Sequence, residues 1–255
     1  MKRNLLVAFA LLFSAFGALY AQTTKTKDTT LTFKYLISSD WTFTFGNLNS
    51  FITVNQAQFA IEQRVIGAKL AARYRYGALE GVMNYNEFYT NAELMFFPKK
   101  RVYGFLNGGA EFSFLRGVNL RAWGGLGAGF KVLNSSDHIF EPTVSVNYEY
   151  NNYSTPIVYR GDSTTIVQTA IANVGWTGSH KFFKGKMNLV HNFKYTQDLL
   201  FATNFKFDGG FTLSVPVIKH FMVKTAIVGS YQNVVPEGKR QADLIWTIGV
   251  AFGNM

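Results

Sequence analysis

The chain has 255 residues, no cysteine, and 25 basic against 15 acidic residues, a formal net charge of +10. Without cysteine a disulfide framework is excluded, so the fold must be held by hydrogen-bond ladders and packing. The basic residues are scattered along the chain and do not gather in long runs, which argues against nucleic acid as a partner and favours anionic lipid headgroups or lipopolysaccharide.

At the N-terminus, Lys2 and Arg3 precede an apolar run from Leu5 to Phe16, followed by small and polar residues through Ala21 and Gln22. This layout predicts a secretory signal peptide over 1–21, cleaved after Ala21. The apolar run is shorter than the roughly 20 residues a helix needs to cross a bilayer, which speaks against a retained anchor. Removing this segment takes two positive charges and leaves about +8. Residues 22–31, rich in Thr and Lys, read as a flexible periplasmic lead-in.

From there to the C-terminus, the chain is dominated by alternation with period two. Lys69, Arg73 and Arg75 alternate with Leu70, Ala72, Tyr74 and Tyr76. Glu141, Thr143, Ser145, Asn147, Glu149 and Asn151 alternate with Val144, Val146, Tyr148 and Tyr150, and Asp243, Thr247 and Gly249 with Leu244, Trp246, Ile248, Val250 and Phe252. Side chains two apart share one face of a strand, so each run has one apolar and one polar face. The composition is 48% hydrophobic and 16% aromatic, yet no apolar stretch after the first is long enough for a transmembrane helix. Apolar surface spread by alternation predicts an all-β fold, a transmembrane antiparallel β-barrel over 32–255 with a polar lumen.

Breaks between runs alternate in character. Short ones fall near Glu62, Pro98–Lys100, Asn134–Asp137, Lys184 and Pro216–Lys219. Longer or glycine-rich ones fall at Gly46–Ser50, Gly77–Gly81, Leu115–Gly117, Asn152–Ser163 and Val234–Lys239, with a further break at Leu200–Thr203. They delimit about twelve strands, ten or fourteen being compatible, and an even count returns both termini to the periplasmic side. Asn152–Ser163 is expected to be the longest outer loop. A soluble β-sandwich is the rival architecture; strand length and outward aromatics oppose it.

Three motifs carry a family resemblance: Trp41 with Gly46-Asn47-Leu48-Asn49-Ser50; Arg101-Val102-Tyr103-Gly104, Arg116-Gly117, Arg121 and the Gly125–Phe130 stretch; and Ser230–Asn233 with Pro236, Gly238 and Asp243. In order and spacing these residues resemble the YdiY-like salt-induced outer-membrane proteins, a domain of unknown function, over 41–252. The resemblance implies an outer-membrane location and transfers no catalytic residue.

On the lumen parity fall Lys69, Arg73, Arg75, Glu87, Glu93, Glu111, Arg121, Lys131, Glu141, Glu149, Lys186, Lys194, Asp198, Lys206, Asp208, Lys224 and Asp243. Folding the hairpins about their breaks sets Arg73 opposite Glu87, Glu87 opposite Glu111, Glu111 opposite Arg121 and Lys131 opposite Glu141, where cross-strand side chains interact directly. Such a network either stiffens the interior or lines a constriction. The glycines of 124–129 do not meet the dinucleotide spacing and are expected to make room for a bulky neighbour. His138, His180, His191 and His220 are far apart in sequence and show no pairing with a serine, so neither a lipid hydrolase nor a zinc site is favoured. The expected protein is a non-enzymatic, monomeric barrel of the outer membrane, without cofactor or metal. Its role would be structural or the passage of small solutes, against the alternatives of a lipid-acting enzyme or a loop-based binding or adhesion scaffold.

Overall fold

The computed structural model describes residues 31–44 and 49–254; the expected signal peptide and, apart from Leu31, the lead-in lie outside them. Alternating segments form β1 (Thr32–Thr44), β2 (Ser50–Glu62), β3 (Ile66–Leu79), β4 (Val82–Phe96), β5 (Val102–Ser113) and β6 (Val118–Phe130). A two-residue β7 (Leu133–Asn134) precedes β8 (His138–Tyr159), β9 (Asp162–Phe182), β10 (Met187–Asp198), β11 (Phe205–Ile218), β12 (Phe221–Gln232) and β13 (Ala242–Gly253). Each long strand pairs antiparallel with its neighbours in sequence, β6 with β8 across the short β7, and β1 with β13. Twelve long strands therefore close into a barrel, and closure removes the unpaired edges that an open sheet would expose.

Burial separates the barrel from a sandwich. Outward positions carry large apolar groups in the open, with Leu126 63%, Tyr148 57% and Trp246 63% exposed, whereas inward Arg121 and Glu149 are each 3% exposed. A water-soluble protein has the opposite distribution, and lipid is the solvent that suits this one. Aromatic rings cluster outward across β9 to β12, where Trp176 stacks on Phe193 at 4.5 Å and Tyr195 packs on Phe207 at 4.9 Å. The outward face also holds a polar pair, Ser39 Oγ donating to Asn55 Oδ1 at 2.8 Å. Among the described residues no helix is long and apolar enough to cross a membrane.

Both described chain ends lie at one rim, with the β2–β3, β4–β5, β6–β8, β9–β10 and β11–β12 connections; the other rim carries the remaining six. Two connections at this far rim differ from expectation. Asn152–Ser163 is not a long loop: β8 and β9 run on past a register shift between Asn152 and Ile157 to a two-residue turn, Arg160-Gly161. The segment Gly77–Gly81 likewise tightens to Glu80-Gly81. In both turns the two residues have positive φ (56° and 94°; 49° and 76°), the mirror-image geometry whose twist matches paired strands.

Glycine shapes the interior beside β6. A Cβ on Gly129 would lie 2.3 Å from Tyr103 Cζ, and one on Gly127 2.4 Å from Phe105 Cζ. The two rings lie flat on these glycines and with Met95 form a buried apolar cluster near the terminal rim. On β5, Gly109 makes the same room for Trp123, whose Cζ2 would be 2.3 Å from an added Cβ. The closing joint is short: β1 and β13 share six register pairs, Leu36↔Gly253 to Trp41↔Ile248, against thirteen between β1 and β2. Asn254 extends it, its amide donating to Tyr35 O at 3.1 Å and its Nδ2 to Phe33 O at 3.1 Å.

Candidate functional site

The far half of the lumen is crossed by a belt of charge. Arg121 on β6 is its hub: Nη1 donates to Glu111 Oε2 at 2.9 Å, Nε to Asn151 Oδ1 at 2.6 Å and Nη2 to Gln232 Oε1 at 2.9 Å. Arg116, from the β5–β6 connection, turns inward to pair with the other oxygen of Glu111. Glu149 accepts from Asn151 Nδ2 at 2.9 Å and from Lys206 Nζ at 2.7 Å. On the adjacent wall Arg75 Nη1 bridges Glu87 at 2.8 Å and Asp243 at 3.1 Å, while Ser113 Oγ donates to Glu87 and Tyr85 OH to Asp243 at 3.3 Å.

Some of these contacts join strands that are not neighbours: Arg121 on β6 with Gln232 on β12, Glu149 on β8 with Lys206 on β11, and both Arg75 on β3 and Tyr85 on β4 with Asp243 on β13. They cross the lumen. Apart from Asp243, whose side chain is partly exposed, the participating side chains are almost wholly enclosed, so each charge needs its partners: removing one member of a buried pair costs about 3–5 kcal/mol. Beyond the belt, Val118, Tyr153, Ile157 and Val167 form an apolar cluster against which Tyr159 and Val234 pack. The β12–β13 connection folds across it with Pro236 fully buried, and its Lys239 Nζ donates to Phe114 O at 3.2 Å. The far mouth is thus narrowed twice, by charge and by a covering connection.

Toward the terminal rim the interior is wetter. Asn147 Nδ2 donates to Asn107 Oδ1 at 3.0 Å, Asn173 Nδ2 to Asn147 Oδ1 at 3.1 Å, and Thr196 Oγ1 to Asn173 Oδ1 at 2.7 Å, an uncharged relay across β5, β8, β9 and β10. Beside it Val190, Asn192 and Lys194 of β10 point inward yet are exposed, which makes this part of the lumen a water-accessible chamber. Looser ion pairs lie here, Lys69–Glu93 at 3.6 Å and Lys131–Glu141 at 3.7 Å. Lys224 on β12 reaches over β13 to Asp40 on β1 at 2.9 Å and to Ser38 Oγ at 2.9 Å.

Of the six residues singled out from the sequence, the structure places Glu111 with Arg121 and Lys131 with Glu141, and corrects two pairings. Arg73 is not opposite Glu87 but opposite Tyr89, with its guanidinium 5.3 Å from that ring; Arg75 takes Glu87. Glu87 is opposite Ser113, not Glu111. Both errors are two residues. The β4–β5 hairpin is centred one residue later than its break suggested, which displaces every partner by two; in β3–β4 the turn at Glu80-Gly81 and the register shift between Gly77 and Ala78 together have the same effect. Such a slip keeps the face and changes only the partner. Lys186 lies exposed in the β9–β10 turn, outside the strands. Sequence reasoning missed Arg116, taken as part of a loop, and Asp40, whose even-numbered register in β1 would have placed it inward.

The histidines also differ from expectation. His138, His180 and His191, distant in sequence, lie side by side on β8, β9 and β10, with ring nitrogens 3.3 Å and 3.1 Å apart. His180 spends one nitrogen on each neighbour, and among the described residues no group of three or more His, Cys, Asp or Glu has the arrangement of a metal site.

Solved structures share the architecture. The NanC porin aligns at a TM-score of 0.51 with 9% identity, over 86% of this chain and 98% of that one. The translocator domain of the autotransporter NalP from Neisseria meningitidis aligns at 0.42 with 12% identity, over 98% and 97%. The outer membrane channel DcaP of Acinetobacter baumannii aligns at 0.42 with 8% identity, over 91% and 99%. At 9% identity the likeness to NanC is one of fold, that of an outer-membrane β-barrel. No curated protein matches the sequence significantly. The family model described as "Protein of unknown function, DUF481" matches residues 43–253, nearly the stretch that carries the motif resemblance, and the chain belongs to that family.

Proposed function

We propose that this protein is a monomeric outer-membrane barrel whose lumen is a narrow, charge-constricted passage for small solutes, with the same charge belt stiffening the wall. Its outward aromatic and aliphatic surface would contact membrane lipid, and lipopolysaccharide where it faces the outer leaflet. The observation that carries the reading is the set of contacts spanning the lumen between Arg121 and Gln232, Glu149 and Lys206, and Arg75 and Asp243. They leave a water-accessible chamber on one side and a constriction on the other, where fixed charge of both signs would select by size and charge. No covalent chemistry belongs to this reading.

Planar-bilayer recording with the purified barrel tests it. Small discrete openings are expected, and Asp243→Asn, which loosens one bridge without leaving an unpaired carboxylate, should enlarge the step or change its ion selectivity. Silence at every voltage in both proteins would refute passage and leave the stiffening role alone.

A further inference from the structure

Nearly every cation in the belt and the chamber has a carboxylate within ion-pair distance: Lys69, Arg75, Arg116, Arg121, Lys131, Lys206 and Lys224 are all paired. Arg73 and Lys194 are different. Arg73 feels the like charges of Arg75 and Arg116 and, less strongly, the opposite charges of Glu87 and Glu111. Those carboxylates are already held, by Arg75 and Ser113 in one case and by Arg116 and Arg121 in the other. Its own guanidinium makes no ion pair and no side-chain hydrogen bond among the described residues, and rests over the Tyr89 ring. Lys194 stands opposite Asp208 in register but makes no ion pair with it, and is exposed to the water of the chamber. The two cations come from opposite walls, β3 and β10, and the charges of both act on Tyr89, as does that of Asp208. Around this point Arg73, Arg75, Arg116, Arg121, Lys194 and Lys206 face Glu87, Glu111, Glu149, Asp198, Asp208 and Asp243, six of each sign, and Arg73 and Lys194 are the cations left without an ion pair.

An aromatic platform completes the arrangement. Tyr89 stacks on Trp123 with ring centres 5.4 Å apart and 29° between planes, and Trp123 can lie flat because Gly109 beneath it has no side chain. A guanidinium with free donors is suited to an oxyanion through paired hydrogen bonds, and an indole face to a flat apolar group. We infer that the chamber holds a binding site for a small organic carboxylate with a flat apolar body, its carboxylate on Arg73 and Lys194 and its body against Trp123. This deepens the passage reading by naming what the lumen takes up, and it rests on that reading's assignment of the interior to water.

Trp123 also supplies the readout, because Trp41, Trp176 and Trp246 are on outward-facing positions and a water-borne ligand reaches only the inward one. Titrating the detergent-solubilised barrel with benzoate at fixed ionic strength should change tryptophan emission saturably. Trp123→Phe should abolish the change, and benzyl alcohol or chloride at the same concentration should not reproduce it. Arg73→Gln and Lys194→Gln should each weaken benzoate binding about tenfold or more, the usual loss of a charge-assisted hydrogen bond. Lys194 makes no ion pair and no side-chain hydrogen bond among the described residues, so its variant reports on binding even where Arg73→Gln fails to fold. Inorganic phosphate matching benzoate would overturn the carboxylate assignment, and equal response to benzyl alcohol would overturn the anion site altogether. Saturable benzoate binding in a barrel that never conducts would sustain the site and refute passage. Conductance without benzoate binding would do the reverse.

Discussion

Glu111 and Glu93 both face the lumen on strands of the same wall, yet their environments assign them different worth. Glu111 serves Arg116 and Arg121 together in an enclosed setting, so Glu111→Ala takes from Arg116 its ion-pair partner and from Arg121 its nearest carboxylate. Loss of one member of a buried pair costs about 3–5 kcal/mol. Glu93 meets Lys69 at 3.6 Å, and Lys69 keeps 38% of its side chain in water. Water screens such a pair, and Glu93→Ala should change stability by about 1 kcal/mol or less. Urea unfolding followed by intrinsic fluorescence separates the two: the midpoint for Glu111→Ala should fall well below that for Glu93→Ala. Equal midpoints would mean that the belt contributes no more than a surface pair.

The alternation that made the strands legible operates at the level of the element. It set the inward parity of Arg73, Glu87, Glu111, Arg121, Lys131 and Glu141, because a period of two needs no knowledge of neighbours. Partner choice needs the turn apex to a single residue, and the β3–β4 hairpin hides it behind a register shift between Gly77 and Ala78. Glycine in β6 was legible as a packing device, though not which ring it served. The Gly129–Tyr103 contact gives a test within that pair of strands. Gly129→Ala should destabilise by about 1–3 kcal/mol, as overpacking does, and the loss should shrink when Tyr103→Leu removes the ring beneath. A double variant no better than the sum of the two singles would show that Gly129 is needed for some other reason.

For the whole molecule, the contacts that cross the lumen were beyond the reach of sequence. Arg75 and Asp243 are brought together by the circumference and stagger of the closed sheet, and no local pattern encodes either. Twelve strands put both described chain ends on one side, and an outer-membrane barrel of this design keeps its termini in the periplasm. An epitope inserted between Arg160 and Gly161 should therefore be labelled on intact cells by an impermeant antibody, and one placed after Asn254 only after the envelope is opened. Labelling of both on intact cells would reverse or abolish the proposed insertion.

The joint between β1 and β13 gives this hoop an order of events. All other pairings connect strands adjacent along the chain, so each can form as a hairpin after closing only a short loop, whereas the joint must bring together residues more than two hundred positions apart. With few rungs of its own, it gains little until its two halves are already shaped. Lys224, reaching from β12 past β13 to Asp40, then acts as a clasp over the seam. The cylinder is accordingly a curled ribbon fastened last, and when strained it would part first along that fastening.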